Sequence, residues 1–200
     1  MDKIEEVLSS GGAVVLPTET VYGLFCKALD EQAVSHVYDL KGRPREKALN
    51  LNVSSLEEIY QFSKHQPQYL KKLYQAFLPG PLTIILQANE QVPIWVNSGM
   101  KTIGFRVPSH PKTLDLIRKF GPLIGPSANL SGKSSGVNFQ QIMTDFNHEV
   151  LGIEDDAFLT GQDSTILDLS EETAHILRQG AVTRAEILAK IPEIGFQNMN

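Results

Sequence analysis

The chain has 200 residues, of which 42% are hydrophobic and 20% are charged, and it contains one cysteine. This length suits one ordinary domain with its own core, and the composition excludes a disordered, fibrous or coiled-coil protein. The 18 basic and 23 acidic residues give a net charge of -5, which argues against a whole-surface attraction to nucleic acid or an anionic membrane. A single cysteine excludes an internal disulfide and a multi-thiolate metal site, and it fits a cytoplasmic protein.

Helical and strand-like patterns alternate along the chain, which is typical of a mixed α/β domain. In chain order, the predicted elements are a helix ending at Gly11-Gly12, a strand at 13–16, a helix from its cap Asp30 to Lys41, a strand at 49–53, helices at 55–60 and 70–77, strands at 83–87 and 102–107, a helix at 111–121, a short strand at 122–125, a helix at 139–146, strands at 164–169 and 175–178, and a helix after its cap Thr183. The strand at 49–53 is expected to bury one face only. The acidic run at 154–156 is interpreted as solvated loop surface.

No internal repeat or linker divides the sequence, so residues 1–200 are interpreted as one domain with a core at about 5–190. The longest apolar runs, 13–16 and 82–86, are far shorter than the roughly 20 residues that cross a bilayer. The acidic N-terminus lacks the pattern of a secretory signal. We therefore expect neither export nor membrane insertion.

Catalytic motifs with a protein nucleophile or a bound metal are missing from the sequence. The five histidines lie far apart, and none belongs to a His-x-x-x-His or Cys-x-x-Cys arrangement, so we expect no protein-built metal site. The sequence has no Gly-x-Ser-x-Gly elbow, and Cys26 has no evident base partner, which makes covalent acyl chemistry unsupported. Cys26 is interpreted as a core residue.

A hydroxyl-rich segment, 17–23, directly follows the first predicted strand. Ligands of open α/β sheets bind beyond the carboxyl ends of strands, and Thr18, Thr20 and Tyr22 would offer hydroxyl groups there. The alternative is a turn whose threonines bond their own backbone. Both interpretations stay open at this point.

Two further segments are candidates for binding an anion. Residues 41–47 place four cations in seven positions. Lys41 and Arg43, two apart in an extended turn, are expected to point the same way and would suit a phosphate or carboxylate, unless the segment is only a solvated loop. Residues 125–136 are rich in glycine and serine. They fail the spacing of a P-loop, because Ser127 stands where that motif needs glycine. This segment is either an anion cradle or a flexible loop.

Taken in order, these segments resemble the YrdC-like family, and within it the short, single-domain L-threonylcarbamoyladenylate synthases. The resemblance spans roughly residues 10 to 185. It rests on Pro17-Thr-Glu-Thr-Val-Tyr-Gly-Leu24, Lys41-Gly-Arg43-Pro44, Pro79-Gly-Pro-Leu-Thr83, Arg106-Val-Pro108, Ser127-Ala-Asn129 with Ser131-Gly132, Asp163-Ser-Thr-Ile-Leu-Asp168, and Ile176-Leu-Arg178. Longer relatives carry an additional C-terminal domain, which this chain is expected to lack.

The resemblance implies a twisted mixed β-sheet flanked by helices, with a concave, positively charged cleft. It also implies a cytoplasmic nucleotidyltransferase that converts L-threonine, bicarbonate and ATP, with Mg2+, into L-threonylcarbamoyl-adenylate and pyrophosphate. No organic cofactor and no membrane partner are expected. The adenylate would pass to proteins that transfer the threonylcarbamoyl group to tRNA, and direct contact with tRNA or double-stranded RNA is a further expectation.

The same resemblance implies particular site residues. The catalytic residues would be Lys41, Arg43, Ser127 and Asn129. ATP would contact Arg43, Lys47, Thr83, Ser127, Ser135 and Arg178, with Ser134 as the alternative to Ser135. Threonine would contact Thr20, Tyr22, Asn52, Arg106 and Ser164. The chain departs from many relatives in having Lys47-Ala48-Leu49 instead of Asn-Pro-Leu, and Asn52 instead of histidine.

Two alternatives belong to other functional classes. The same fold could be an RNA-binding module, whose affinity would fall steeply with salt because phosphate contacts release counterions. It could also form a related carbamoyl-adenylate from another carbamoyl donor. Substrate choice would separate that enzyme from the threonine-dependent one.

Overall fold

The fold is described for residues 1–197 by a computed structural model, so residues 198–200 of the predicted domain lie outside the described part. Within that part there are eight α-helices: α1 Lys3–Ser9, α2 Glu31–Lys41, α3 Leu56–Phe62, α4 Leu70–Phe77, α5 Ile94–Asn97, α6 Pro111–Phe120, α7 Phe139–Asp145 and α8 Arg184–Lys190. No helix among these residues is long and apolar enough to cross a bilayer.

Local capping explains where several helices begin and end. The Asp30 carboxylate accepts a hydrogen bond from the Ala33 N–H, and Gly42 ends α2 in the left-handed region at φ 59°. Thr183 and Glu186 form the complete capping box of α8. The helix boundaries predicted at these caps are confirmed, so Lys41 is the last residue of α2.

The described residues also contain ten strands: β1 Val14–Pro17, β2 Tyr22–Lys27, β3 Leu51–Asn52, β4 Ser63–Lys64, β5 Leu82–Ala88, β6 Thr102–Arg106, β7 Leu123–Ile124, β8 Leu151–Gly152, β9 Thr165–Asp168 and β10 His175–Arg178. Their order in the sheet is β10-β9-β5-β6-β3-β7-β2-β1-β8, and β4 pairs with β5. The pairs β9/β5, β6/β3 and β1/β8 are parallel, and the other pairs are antiparallel. The predicted mixed α/β class is confirmed.

Two strand predictions need correction. Residues 22–27 form β2, which pairs with β1 in an antiparallel hairpin, although we predicted no strand there. The predicted strand at 49–53 is reduced to Leu51 and Asn52, and the Asn52 side chain is buried together with its apolar neighbours. The alternation of leucine and asparagine therefore does not mark an exposed face here, because both residues of β3 are buried. The elements α5, β4 and β8 were not predicted.

The core forms two hydrophobic clusters, and the smaller one packs α1 and α6 against β1, β2 and β7. Its buried members are Leu8, Val14, Leu16, Phe25, Leu116, Ile117 and Leu123. The Phe25 ring lies so close to Gly23 and Gly125 that a Cβ at either position would approach it to 2.4 Å and 2.3 Å, respectively. Glycine is therefore required at both positions, because the ring fills the space that a side chain would need.

Candidate functional site

A cleft of about 370 Å³ lies where segments from distant parts of the sequence converge. They include the β1–β2 turn, the chain after α2, the end of β6, the loop after β7 and the start of β9. The lining residues are Thr18, Thr20, Val21, Tyr22, Gly23, Arg43, Ala48, Leu49, Asn50, Asn52, Thr83, Arg106, Gly125, Pro126, Ser127, Ser135, Asp163, Ser164, Ile166 and Arg178. Every predicted site residue lines this cleft except Lys41, Lys47 and Asn129, and Ser135 lines it rather than Ser134.

Arg43 brings a cationic side chain to the cleft from the loop after α2. Its Nε donates to the Lys47 carbonyl at 3.2 Å, and its Nη2 donates to the Ala48 carbonyl at 2.9 Å. No carboxylate in residues 1–197 forms a salt bridge with Arg43. Lys47 thus shapes the loop through its backbone, while its exposed side chain lies outside the lining.

Lys41 lies behind the loop that contains Ser127 and Asn129. Its side chain is only 3% exposed, and its Nζ donates to the carbonyls of Ser127 and, at 2.6 Å, Asn129. Burial lowers the pKa of Lys41 to about 8, and the nearby Arg43 charge adds to this effect. The expectation that Lys41 and Arg43 point the same way is wrong, because Lys41 turns inward to two backbone oxygens.

Asn129 also folds this loop rather than lining the cleft. Its Nδ2 donates to the carbonyls of Leu130 and Lys133, both at 2.9 Å. Its Oδ1 is buried without a hydrogen-bond partner among the described residues. Lys41 and Asn129 therefore hold the backbone on which Ser127 reaches the cleft, and their expected catalytic roles stay predictions.

Thr83, Ser164 and Arg178 form a hydrogen-bonded group at one side of the cleft. The parallel register of β5 and β9 places Thr83 beside the start of β9, and the Thr83 and Ser164 hydroxyl oxygens are 3.1 Å apart. Arg178 donates from Nε to the Ser164 carbonyl at 3.0 Å and from Nη2 to the Ser164 hydroxyl at 3.1 Å. The Asp163 carboxylate, which belongs to one of the family motifs but was not predicted as a site residue, lies 3.9 Å from Arg178 Nη1.

Arg106 enters the cleft from the end of β6 and is held from behind. Its Nε donates to the Gly80 carbonyl at 2.8 Å, and its Nη2 forms a salt bridge with the Glu19 carboxylate. Glu19 was not predicted from the sequence as a site residue. Its position inside the hydroxyl-rich segment 17–23 was the available signal, since a carboxylate there needs a cationic partner once the segment is buried.

Tyr22 lines the cleft, but its hydroxyl is engaged elsewhere. The hydroxyl donates to the Asp156 carboxylate at 2.7 Å and accepts from the Asp155 N–H at 2.8 Å. Burial and the adjacent Asp156 carboxylate raise the pKa of Tyr22 well above its ordinary value. The expectation that its hydroxyl is offered to a ligand is therefore wrong, because its only proton is already donated to Asp156.

The acidic run at 154–156 is solvated surface at Glu154, as predicted, whereas Asp155 and Asp156 make structural contacts that were not predicted. Asp156 also accepts from the Phe139 N–H at 3.0 Å, and the Asp155 carboxylate lies 3.1 Å from His110 Nε2. The run therefore ties the chain before β9 to the strand and helices beside the cleft. Its partners lie far away in sequence, which is why charge pattern alone gave the wrong interpretation.

Replacing Tyr22 with phenylalanine is expected to destabilise the protein by about 1–3 kcal/mol, because the Asp155 N–H and the Asp156 carboxylate each lose a partner. Urea unfolding of both proteins measures this difference. Tyr60→Phe is the matched control: Tyr60 is 44% exposed, and its change should stay within about 0.5 kcal/mol. Equal stability of Tyr22→Phe and wild type would show that these hydrogen bonds contribute nothing to the free energy of unfolding.

The fold and cleft together define a ligand-binding α/β domain, whose guanidinium and hydroxyl groups suit an anionic small molecule. The sequence matches the Sua5/YciO/YrdC family model, which is described as telomere recombination, over residues 6–180. The chain belongs to this family. The resemblance drawn from its motifs is thereby confirmed.

Curated relatives and a solved structure add detail to this assignment. The chain is 38% identical over 189 residues to the threonylcarbamoyl-AMP synthase of Pyrococcus abyssi, covering 94% of this chain and 56% of that protein. It is 35% identical to the threonylcarbamoyl-AMP synthase of Bacillus subtilis, covering 94% and 55%, respectively. The chain thus spans little more than half the length of these relatives. The crystal structure of P. abyssi Sua5 complexed with L-threonine matches 97% of this chain and 58% of that chain, with a TM-score of 0.89 and 36% identity.

Proposed function

We propose that this chain synthesises L-threonylcarbamoyl-adenylate from L-threonine, bicarbonate and ATP, and releases pyrophosphate. The observation that carries the proposal is the cleft, which gathers Arg43, Arg106 and Arg178 with several hydroxyl groups. The similarity to threonylcarbamoyl-AMP synthases supports it, as does the similarity to a Sua5 structure that contains L-threonine. The lining contains three arginines and a single carboxylate residue, Asp163, and this excess of basic side chains agrees with the expected positive cleft.

The proposed reaction needs no protein nucleophile. The threonine amine and bicarbonate form a carbamate with loss of water, and a carbamate oxygen then attacks the α-phosphorus of ATP. The P–O bond to the β-phosphate breaks as the new bond forms, so pyrophosphate leaves. The protein contributes by holding the reactants together and by stabilising charge on the phosphoryl oxygens. The guanidinium and hydroxyl groups of the cleft are suited to both tasks.

Within this proposal the lining residues divide between the two larger substrates. ATP would be bound by Arg43, Thr83, Ser127, Ser135 and Arg178. Threonine would be bound by Thr20, Asn52, Arg106 and Ser164. Arg178 and Thr83 both contact Ser164, so the ATP and threonine groups meet at this residue. This contact would bring the carbamate close to the α-phosphate.

We further propose that Mg2+ enters as part of the MgATP substrate. In the described range no group of three His, Cys, Asp or Glu residues could hold a metal ion by itself, and Asp163 is the only carboxylate in the cleft lining there. This donor set fits an ion that takes most of its oxygen ligands from phosphates and water. When bound, the ion would neutralise phosphate charge, and Asp163 is the residue that could contact it.

The decisive experiment incubates the purified chain with ATP, Mg2+ and bicarbonate, with and without L-threonine. We expect pyrophosphate release and an adenylate of the expected mass only when threonine and bicarbonate are both present. L-Serine in place of threonine tests the amino acid, and carbamoyl phosphate in place of bicarbonate tests the donor. A protein without threonine-dependent product that instead binds tRNA with a steep salt dependence would contradict the proposal and favour an RNA-binding module.

The cellular setting belongs to the same proposal. We place the reaction in the cytoplasm, where its product would be consumed by proteins that transfer the threonylcarbamoyl group to tRNA. The single buried cysteine agrees with a reducing compartment. A mixed acyl-phosphate anhydride hydrolyses readily, so rapid transfer to such a partner would preserve the product.

A further inference from the structure

Glu19 lies behind the cleft and connects three segments that surround it. Its carboxylate forms a salt bridge with Arg106 and accepts from the Ser109 N–H at 2.9 Å. Its backbone carbonyl accepts from the Thr160 N–H at 3.0 Å. Glu19 itself does not belong to the cleft lining, although its neighbours Thr18 and Thr20 do.

These contacts fix the orientation of the Arg106 guanidinium group. Its Nε is held by the Gly80 carbonyl, and its Nη2 is held by Glu19. The side chains of Arg106 and Glu19 are only 11% and 13% exposed, so little water competes for their charges. Arg106 Nη1 has no protein partner in residues 1–197. The Nη1 amino group of a rigidly oriented guanidinium, with its two N–H donors, is therefore left for a ligand.

The carboxylate also changes the electrostatic character of Arg106. Because Glu19 balances its charge at close range, Arg106 attracts a polyanion less strongly than Arg43, which has no carboxylate partner among the described residues. A neutralised, oriented arginine suits a singly charged carboxylate better than a triphosphate. Glu19 thus makes the Arg106 side of the cleft favour a carboxylate, whereas the Arg43 side favours phosphate.

We propose that Glu19 is a positioning residue, which orients Arg106 toward the α-carboxylate of the amino-acid substrate and disfavours phosphate at that position. This inference rests on the proposed function. Without Glu19, Arg106 would keep its contact to the Gly80 carbonyl and a long 3.5 Å contact to the Thr20 hydroxyl, and its guanidinium would have to be ordered further when the substrate binds. Ordering a long side chain costs binding free energy, so affinity for the amino acid falls while the ATP side is unaffected.

Glu19→Gln tests the inference with little change in volume. Its amide can accept from either Arg106 or Ser109, but its NH2 group cannot accept from the other. We expect the KM for L-threonine to rise about tenfold or more, with the KM for ATP within about twofold of wild type. Calorimetric titration of L-threonine without ATP should show the same loss of affinity. A purely structural role would lower the active fraction without separating the two KM values.

Two further variants complete the test. Asp115→Asn removes a carboxylate from an exposed salt bridge with Arg118 and should change neither KM. Arg106→Lys should weaken threonine binding, and adding Glu19→Gln to it should have little further effect if Glu19 acts through Arg106. Equal changes in both KM values, or additive effects in the double variant, would overturn the inference.

The same measurements separate this inference from the proposed function. If wild type makes the adenylate but Glu19→Gln keeps its threonine KM, only the inference fails. If wild type makes no adenylate but binds L-threonine, and Glu19→Gln weakens that binding, only the proposed function fails. If wild type neither binds threonine nor makes the adenylate, both are rejected. If Glu19→Gln does not fold, the affinities of Arg106→Lys for L-threonine and for ATP are compared. A loss of threonine affinity alone would show that Arg106 binds the amino acid, and an equal loss of both affinities would overturn the inference.

Discussion

Replacing Lys41 with methionine is expected to lower turnover at least about tenfold and to destabilise the protein by about 2 kcal/mol at pH 7. Methionine fills a similar volume but cannot donate to the carbonyls of Ser127 and Asn129, and each buried acceptor without a donor costs about 1–3 kcal/mol. Removing a desolvated charge offsets part of this cost. The loop that carries Ser127 would then be attached to the end of α2 only through the Ser131 N–H, which donates to the Lys41 backbone carbonyl at 2.8 Å. We therefore expect the activity to fall because Ser127 is less firmly placed.

Single-turnover kinetics and urea unfolding measure these two effects. Lys112→Met on α6 is the matched control, since Lys112 is exposed and does not line the cleft. It should leave both quantities unchanged. A Lys41→Met variant with wild-type turnover would show that the loop keeps its conformation without the ammonium group.

The low pKa of Lys41 adds a pH dependence with a definite sign. Burial lowers this pKa from an ordinary value of 10.5 to about 8, so between these values the unfolded chain binds more protons than the folded protein. The penalty for burying the charged form is present in full below pH 8 and is relieved as the pH rises toward 10.5. Wild type should therefore gain stability relative to Lys41→Met between pH 8 and 10. Urea unfolding of both proteins at pH 7 and pH 9.5 checks this, and a constant difference would contradict it.

For Lys41, the sequence predicts the position in the fold but not the contacts of the side chain. Its place at the end of α2 followed from the cap at Asp30 and from the polar, proline-containing segment 41–47, which are local signals. Its two acceptors belong to Ser127 and Asn129, 86 and 88 residues further along the chain. No local pattern predicts that a lysine in a basic segment turns inward to meet backbone carbonyls. Motif resemblance found the residue, but only the structure shows what it contacts.

The strand predictions were likewise correct where they depended on local patterns and incorrect where they depended on tertiary contacts. The periodicity at 102–107 correctly placed Arg106 at the end of β6, because alternation of buried and polar residues is a local property. Asn52 fits the alternation of its strand, but the inference of a solvent-exposed face was wrong, because Asn52 is buried and lines the cleft. Glu19 and Asp156 were missed as site-forming residues for a related reason. Each is a carboxylate whose donors lie on other segments, so its role depends on tertiary contacts.

Arg43→Ala is expected to lower kcat/KM for ATP roughly ten- to hundredfold, the scale of losing one oriented charge at a phosphoryl group. Arg43 lines the cleft, and no carboxylate in residues 1–197 forms a salt bridge with it, so its full charge is available to phosphate. Its guanidinium also holds the carbonyls of Lys47 and Ala48 in place. Arg43→Lys separates these contributions, since lysine keeps the charge but cannot reproduce the planar pair of hydrogen bonds.

Arg45 provides a close control for this substitution. It lies two residues away on the same loop, but its Nη2 pairs with Asp39 at 2.6 Å, its side chain is 54% exposed, and it does not line the cleft. Arg45→Ala should keep kcat/KM for ATP within about twofold, because an exposed ion pair contributes little. Steady-state kinetics with ATP as the varied substrate measures all three variants.

We expect Arg43→Lys to recover only part of the activity. Full activity in Arg43→Ala, or an equal loss in Arg45→Ala, would show that general basicity of the loop, rather than the oriented Arg43 guanidinium, serves the nucleotide.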